Sequence, residues 1–147
     1  MELDLNKRYQ TLLVLWFALL MSIVLYFLFS VFAAPQISSE PGNARRSVLV
    51  FALMAIGTFL VILSFAVKRK ILERSVENQD PNLVQKGLVI ACAMCEASAL
   101  LGVLERFVIG NRESYLLFLL AAAGTTFHFP RRSQLESASY KTPARLT

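Results

Sequence analysis

One carboxyl, two thiols and one imidazole stand within the apolar stretches of this chain: Glu96, Cys92, Cys95 and His128. Glu96 is the single charged residue between positions 87 and 104, and no Lys or Arg occupies a comparable depth in any apolar stretch. A carboxyl group at the middle of an apolar helix is expensive to keep ionised, so a neutral Glu is expected unless a cation pairs with it. Two chemistries follow. Glu96 either binds a proton or cation reversibly, or donates a hydrogen bond across a helix interface, to Ser64, Ser98 or Thr125. Cys92-Ala93-Met94-Cys95 has the spacing of a redox pair, but thiols in apolar surroundings are inert, so they read equally as small packing residues. His128 could approach Cys92. The four groups differ in depth by several ångströms, which argues against a shared metal site. No metal, cofactor or catalytic residue is therefore predicted.

The elements that must position these groups are set by the apolar distribution. Of 147 residues 56% are hydrophobic, about 82 side chains. Charge is absent from residues 9–39, 47–67 and 114–130. Four membrane spans of ~20 residues need ~80 apolar positions, so the spans account for the whole complement. This excludes a globular cytosolic enzyme, a nucleic-acid-binding domain and a disulfide-stapled secreted module. The predicted fold is all-α: a polytopic bundle of four transmembrane helices arranged as two helical hairpins. It forms a single domain over residues 1–130, with spans at about 11–34, 47–67, 87–109 and 114–129. Residues 131–147 are polar and expected to form a disordered cytoplasmic tail.

The spans differ in character. The first is dense in Leu, Phe and Val, lacks glycine and reads as an outer, lipid-facing helix. A small residue at Ala33 also gives it the look of a cleavable leader, but signal cores run ~7–15 residues, so a retained helix is expected. Pro35, Pro41 and Gly42 mark an external loop. The second span ends in Lys68-Arg69-Lys70, and helical spacing continues through Ile71, Leu72, Ser75 and Val76. Asp80-Pro81 is a helix start, with Asp as N-cap and Pro at the first helical position. Ala91, Cys95, Ser98 and Gly102 then fall on one stripe of small residues, which lets helix backbones approach closely in lipid. Ala121 and Gly124 of the fourth span are the expected partners. That span reaches only ~24 Å at 1.5 Å per residue, so it needs a polar first turn or local thinning.

Placement of the 15 basic residues gives an orientation. With both termini and the second connection cytoplasmic, eleven lie inside and four outside, as the inside enrichment of Lys and Arg requires. The basic surplus is thus a topology signal, and no nucleic-acid partner is expected. The implied location is the plasma membrane, or the inner membrane of a bacterium, multi-pass with both ends inside. Glu105 and Arg106 are expected at the external end, snorkelling into the headgroups, with Arg106 able to pair with Glu113.

Two local resemblances bear on function. The run Glu96-Ala97-Ser98-Ala99-Leu100-Leu101-Gly102-Val103-Leu104 resembles the carboxylate-bearing helix of the ring-forming c subunits (proteolipids) of rotary ATP synthases. Gln79-Asp80-Pro81 is similar to that family's polar loop. The resemblance covers residues 78–104 and implies that Glu96 matches the family's proton- or sodium-binding carboxylate. The chain departs from the family in having only Gly57 where the first helix carries a glycine repeat, and in a shorter spacing from Pro81 to Glu96. The Cys-x-x-Cys is similar to that of four-helix membrane thiol oxidoreductases, whose further loop cysteines are missing here. The function expected is that of a non-enzymatic accessory or assembly subunit of a membrane complex, with the bilayer and a membrane-protein partner or second copy as its contacts. The alternative is a proton- or cation-coupled protein using Glu96.

Overall fold

Inside a bilayer every backbone N–H and C=O must find a partner within the chain, which long helices achieve without help. The computed structural model describes residues 2–33 and 44–139, and those residues are almost wholly helical, with no strand among them. Five α-helices follow in order: α1 Glu2–Ala33, α2 Ala44–Glu77, α3 Pro81–Leu104, α4 Tyr115–Phe127 and α5 Arg132–Ser139. A π-helical turn, Glu105–Ile109, extends α3, and a 3-10 turn, Arg112–Ser114, leads into α4. Three stretches, Leu5–Ala33, Ser47–Glu77 and Pro81–Ile109, are long and apolar enough to cross a membrane, and Tyr115–Phe127 is a shorter apolar helix. The chain is an all-helical fold compatible with a membrane bundle. The expected external loop at Pro35, Pro41 and Gly42 lies outside the described residues, as does the tail beyond Ser139.

Helix α3 is the centre of the molecule and packs against α1, α2 and α4. The turn that folds α2 back onto it is built as anticipated at Asp80-Pro81. The Asp80 side chain accepts from the Asn82 N–H at 2.9 Å, capping α3, and Pro81 occupies the first turn. On the α2 side, Gln79 N–H donates to Val76 C=O and Asp80 N–H to Ser75 C=O. This is a Schellman closure, with Gln79 in the left-handed region at φ 50° where glycine is the usual residue.

The two-hairpin expectation needs correcting. Helix α1 packs on α3 and α4, and not on its sequence neighbour α2. The reason lies in the side chains: α1 and α2 carry bulky residues, while the close-approach surface belongs to α3. Its Ala91, Cys95, Ser98 and Gly102 are all buried, and the neighbours come in on both sides. A Cβ added to Gly102 would meet Leu117 and Phe118 of α4 at 3.1–3.3 Å. One added to Gly57 of α2 would lie 2.9 Å from Ser98 Oγ. Gly124 sits at the junction of three helices, where a Cβ would meet Val61 of α2 at 2.8 Å and Cys95 of α3 at 2.9 Å. Ala121 is fully buried with Ile23, Ala99 and Phe118. The stripe therefore serves α2 as well as α4.

Residues 132–139, assigned from composition to a disordered tail, instead form α5. Leu135 and Ala138 are one turn apart and bury into a cluster with Leu12, Val84, Leu88 and Cys92, closing the end of the bundle where α1 and α3 begin. Arg8 Nη1 donates to Asn82 Oδ1 at 2.9 Å and fastens the same end. The outer faces of α1 and α2 stay apolar and exposed, with Phe17, Leu25 and Phe29 on one and Phe51, Phe59 and Ile62 on the other. This agrees with the lipid-facing character read for the first span.

Gly124→Ala is expected to lower stability by ~1–3 kcal/mol, the range for overpacking a close contact. The neighbouring Ala123→Val, at an exposed position, should leave it unchanged. Thermal unfolding of the two variants in mild detergent reads the difference.

Candidate functional site

Glu96 lies at the middle of Pro81–Ile109 and is half-buried on the face that α1 covers. Its partner is Ser22 of α1, whose hydroxyl contacts Glu96 Oε1. None of the three expected partners fills this role: Ser64 is engaged elsewhere, while Ser98 Oγ and Thr125 Oγ1 are buried with no hydrogen bond among the described residues. Ser22 Oγ also lies 2.7 Å from the Leu19 carbonyl oxygen. A hydroxyl holds one proton and can accept as well. If that proton goes to Leu19, a protonated Glu96 donates to Ser22 Oγ; if it goes to Glu96, the carboxylate accepts. Either arrangement leaves both groups satisfied.

A second polar cluster forms where α4 ends. His128 caps α4 and is buried, its Nε2 2.8 Å from Ser64 Oγ of α2, and its ring lies 4.4 Å from that of Phe65. Ser64 Oγ also approaches Cys95 Sγ at 3.7 Å. The last carbonyls of a helix lack α-helical donors; here Thr125 and Thr126 C=O accept from His128 and Phe129 N–H in a tightened last turn, and side chains from other helices add further bonds. Trp16 Nε1 of α1 donates to Thr125 C=O at 2.7 Å, and Lys68 Nζ of α2 donates to His128 C=O at 2.9 Å. A cation at a helix C-terminus also opposes its partial negative charge. His128 is therefore a buried anchor between α4 and α2. Its imidazole reaches Ser64, and through it Cys95, so its expected approach to Cys92 is replaced by this relay.

Cys92 and Cys95 are both buried free thiols. Among the described residues no three His, Cys, Asp or Glu side chains converge to hold a metal.

No family model, curated protein or solved structure matches the chain. The geometry alone carries the functional reading. Sequence reasoning passed over Ser22, Trp16 and Lys68 as polar partners. Ser22 and Trp16 are, with Thr11, Tyr26 and Ser30, the hydrogen-bonding side chains of the first span, and such groups seek partners when buried.

The C-terminal end of α3 corrects a further expectation. Glu105 does not snorkel: it is 0% exposed, and Asn111 Nδ2 donates to its Oε1 at 2.5 Å. Glu105 lies three residues after Gly102 and so continues the buried stripe of Ala91, Cys95, Ser98 and Gly102, because residues three and four apart share a helix face; a π turn begins there. Gly110, at φ 69°, ends the turn, its N–H reaching Glu105 C=O. Asn111 Oδ1 then accepts from Glu113 N–H and caps the next turn. Arg106 and Glu113 make no ion pair among the described residues; the pairs present are Arg69–Glu73 and Arg132–Glu136.

Ser64→Ala is expected to destabilise the protein by ~1–3 kcal/mol, because it strands a buried imidazole nitrogen without its partner. The unfolding midpoint in detergent checks this, and an unchanged midpoint would show that Ser64 contributes nothing to holding α2 and α4 together.

Proposed function

We propose that the protein is a four-span integral membrane protein with both termini cytoplasmic, acting as a non-enzymatic accessory or assembly subunit in the plasma membrane. It sits in the inner membrane if the source is a bacterium. The observation that carries this reading is where the interior polar groups go. Ser22 with Glu96, Ser64 with His128, Trp16 with Thr125 and Lys68 with His128 each join one helix to another. The interior is thus spent on holding the bundle in one shape. Meanwhile the bulky outer face of α2, along Val48, Phe51, Phe59 and Ile62, is exposed among the described residues. A rigid bundle offering bulky apolar faces suits packing against another membrane protein, where van der Waals fit drives association. Tyr115–Phe127 serves as the fourth span, with the 3-10 turn before it as its polar start.

Purification from native membranes in mild detergent followed by mass spectrometry tests this. A stoichiometric membrane partner is expected, and Phe59→Ala together with Ile62→Ala is expected to reduce its recovery. Recovery of the isolated chain alone would overturn the reading.

The second reading, a proton- or cation-coupled protein, is favoured by one observation: the Ser22 contact is satisfied with Glu96 protonated or ionised. On this reading Glu96 acts as the ion-binding carboxylate that the c-subunit resemblance implies. Glu96→Gln keeps a hydrogen-bonding group for Ser22 and is expected to abolish proton flux in reconstituted vesicles while leaving the fold intact. Undiminished flux in a folded variant would dismiss it.

A further inference from the structure

At the end of the bundle closed by α5, a pocket of about 320 Å³ opens between α2 and the turn from α4 into α5. Three cations line it, Lys68, Arg69 and Arg131, against a single carboxylate, Glu73. Glu73 is already committed to Arg69 at 3.0 Å on the exposed side of α2. That leaves Lys68 and Arg131 without a counter-charge among the described residues. Lys68 is only 8% exposed, and one of its three N–H groups is used on the His128 carbonyl. Arg131 lies close enough for its charge to act on Lys68 unfavourably. Two cations held together beside a low-dielectric interior repel one another, and an anion between them reverses the sign of that interaction. The other wall is aromatic. Phe65 and Phe127 line the pocket, and Phe127 is 77% exposed on the apolar side. The pocket therefore runs from a cationic floor to a surface suited to a hydrocarbon chain, at the level where the apolar part of α2 gives way to Lys68-Arg69-Lys70.

We propose that this pocket holds an anionic membrane phospholipid, its phosphate between Lys68 and Arg131 and its acyl chain along Phe65 and Phe127. Basic pockets between membrane helices at the interface recognise lipid headgroups in this way. A lipid is the occupant that matches both walls, because a soluble anion would leave the aromatic wall uncovered. The site is independent of whether Glu96 titrates and of any partner on α2.

The chain carries its own reporter. Trp16 is the only tryptophan and packs edge-on to Phe129, which also lines the pocket, with ring centroids 5.1 Å apart. The full-length protein is reconstituted into phosphatidylcholine vesicles containing either phosphatidylglycerol or phosphatidylcholine brominated near the top of the acyl chain. Quenching of Trp16 is then titrated against each lipid. Brominated phosphatidylglycerol is expected to quench at a several-fold lower mole fraction than brominated phosphatidylcholine. Arg131→Gln is expected to weaken that preference about fivefold, the equivalent of ~1 kcal/mol per basic residue at an anionic surface. Lys68 also caps α4, so the exposed Arg131 is the variant that keeps the test independent of folding. Lys70→Gln, in the same basic run but outside the pocket, should leave the preference intact. Equal quenching by the two lipids would overturn the proposal and point to an acidic protein segment as the occupant. Equal loss in Lys70→Gln and Arg131→Gln would also overturn it, by reducing the effect to general surface charge.

Discussion

Apolar helices in a bilayer gain nothing by hiding from water, so they stay together only where their surfaces interlock. In this protein that condition is met along the small-residue face of α3. Gly57, Gly102 and Gly124 mark three points where a methyl group would intrude on a neighbouring helix. Close approach there brings Ser64 within reach of His128 and Cys95, and it sets the distance across which Lys68 meets the end of α4. The polar contacts depend on the packing, because a hydroxyl is too short to bridge helices held apart by Leu or Phe.

The polar contacts in turn hold the end of α4, where the carbonyls of Thr125 and His128 are met by side chains of other helices. Trp16 and Lys68 take that role from two different helices. The end of α4 is thereby the point at which α1, α2 and α4 are tied to one another. The α5 helix caps the arrangement through Leu135 and Ala138.

Much of this was legible in the residues, and the exceptions have physical causes. The α3 start at Asp80-Pro81 and the buried stripe from Ala91 to Gly102 are local patterns, set by capping chemistry and a helical period. The Glu96 partner was not legible because Ser22 lies 74 positions away, and which helix covers which face is a matter of tertiary packing. Glu105 was misread because its charge was weighed and its spacing was not: three residues after Gly102, it falls on the same buried stripe as Ala91, Cys95, Ser98 and Gly102. The α5 helix was hidden by composition: Ser, Gln, Arg and Glu dominate it, and its two anchors fill a single turn. Their spacing at 135 and 138 was the available signal. The candidate site is thus half local and half topological, with Glu96, Cys95 and His128 recognisable as unusual residues and their actual partners fixed only by the fold.

The docking of α1 on α3 and α4, away from α2, constrains how the chain can assemble. During synthesis α1 emerges before α3 and α4, the helices it packs against. Until α3 and α4 arrive, Ser22 and the Trp16 indole of α1 lack their native partners. A chain interrupted after α2 would therefore leave α1 without the surfaces it packs on. Completion of the fold is thus a late event that joins α1 to α3 and α4.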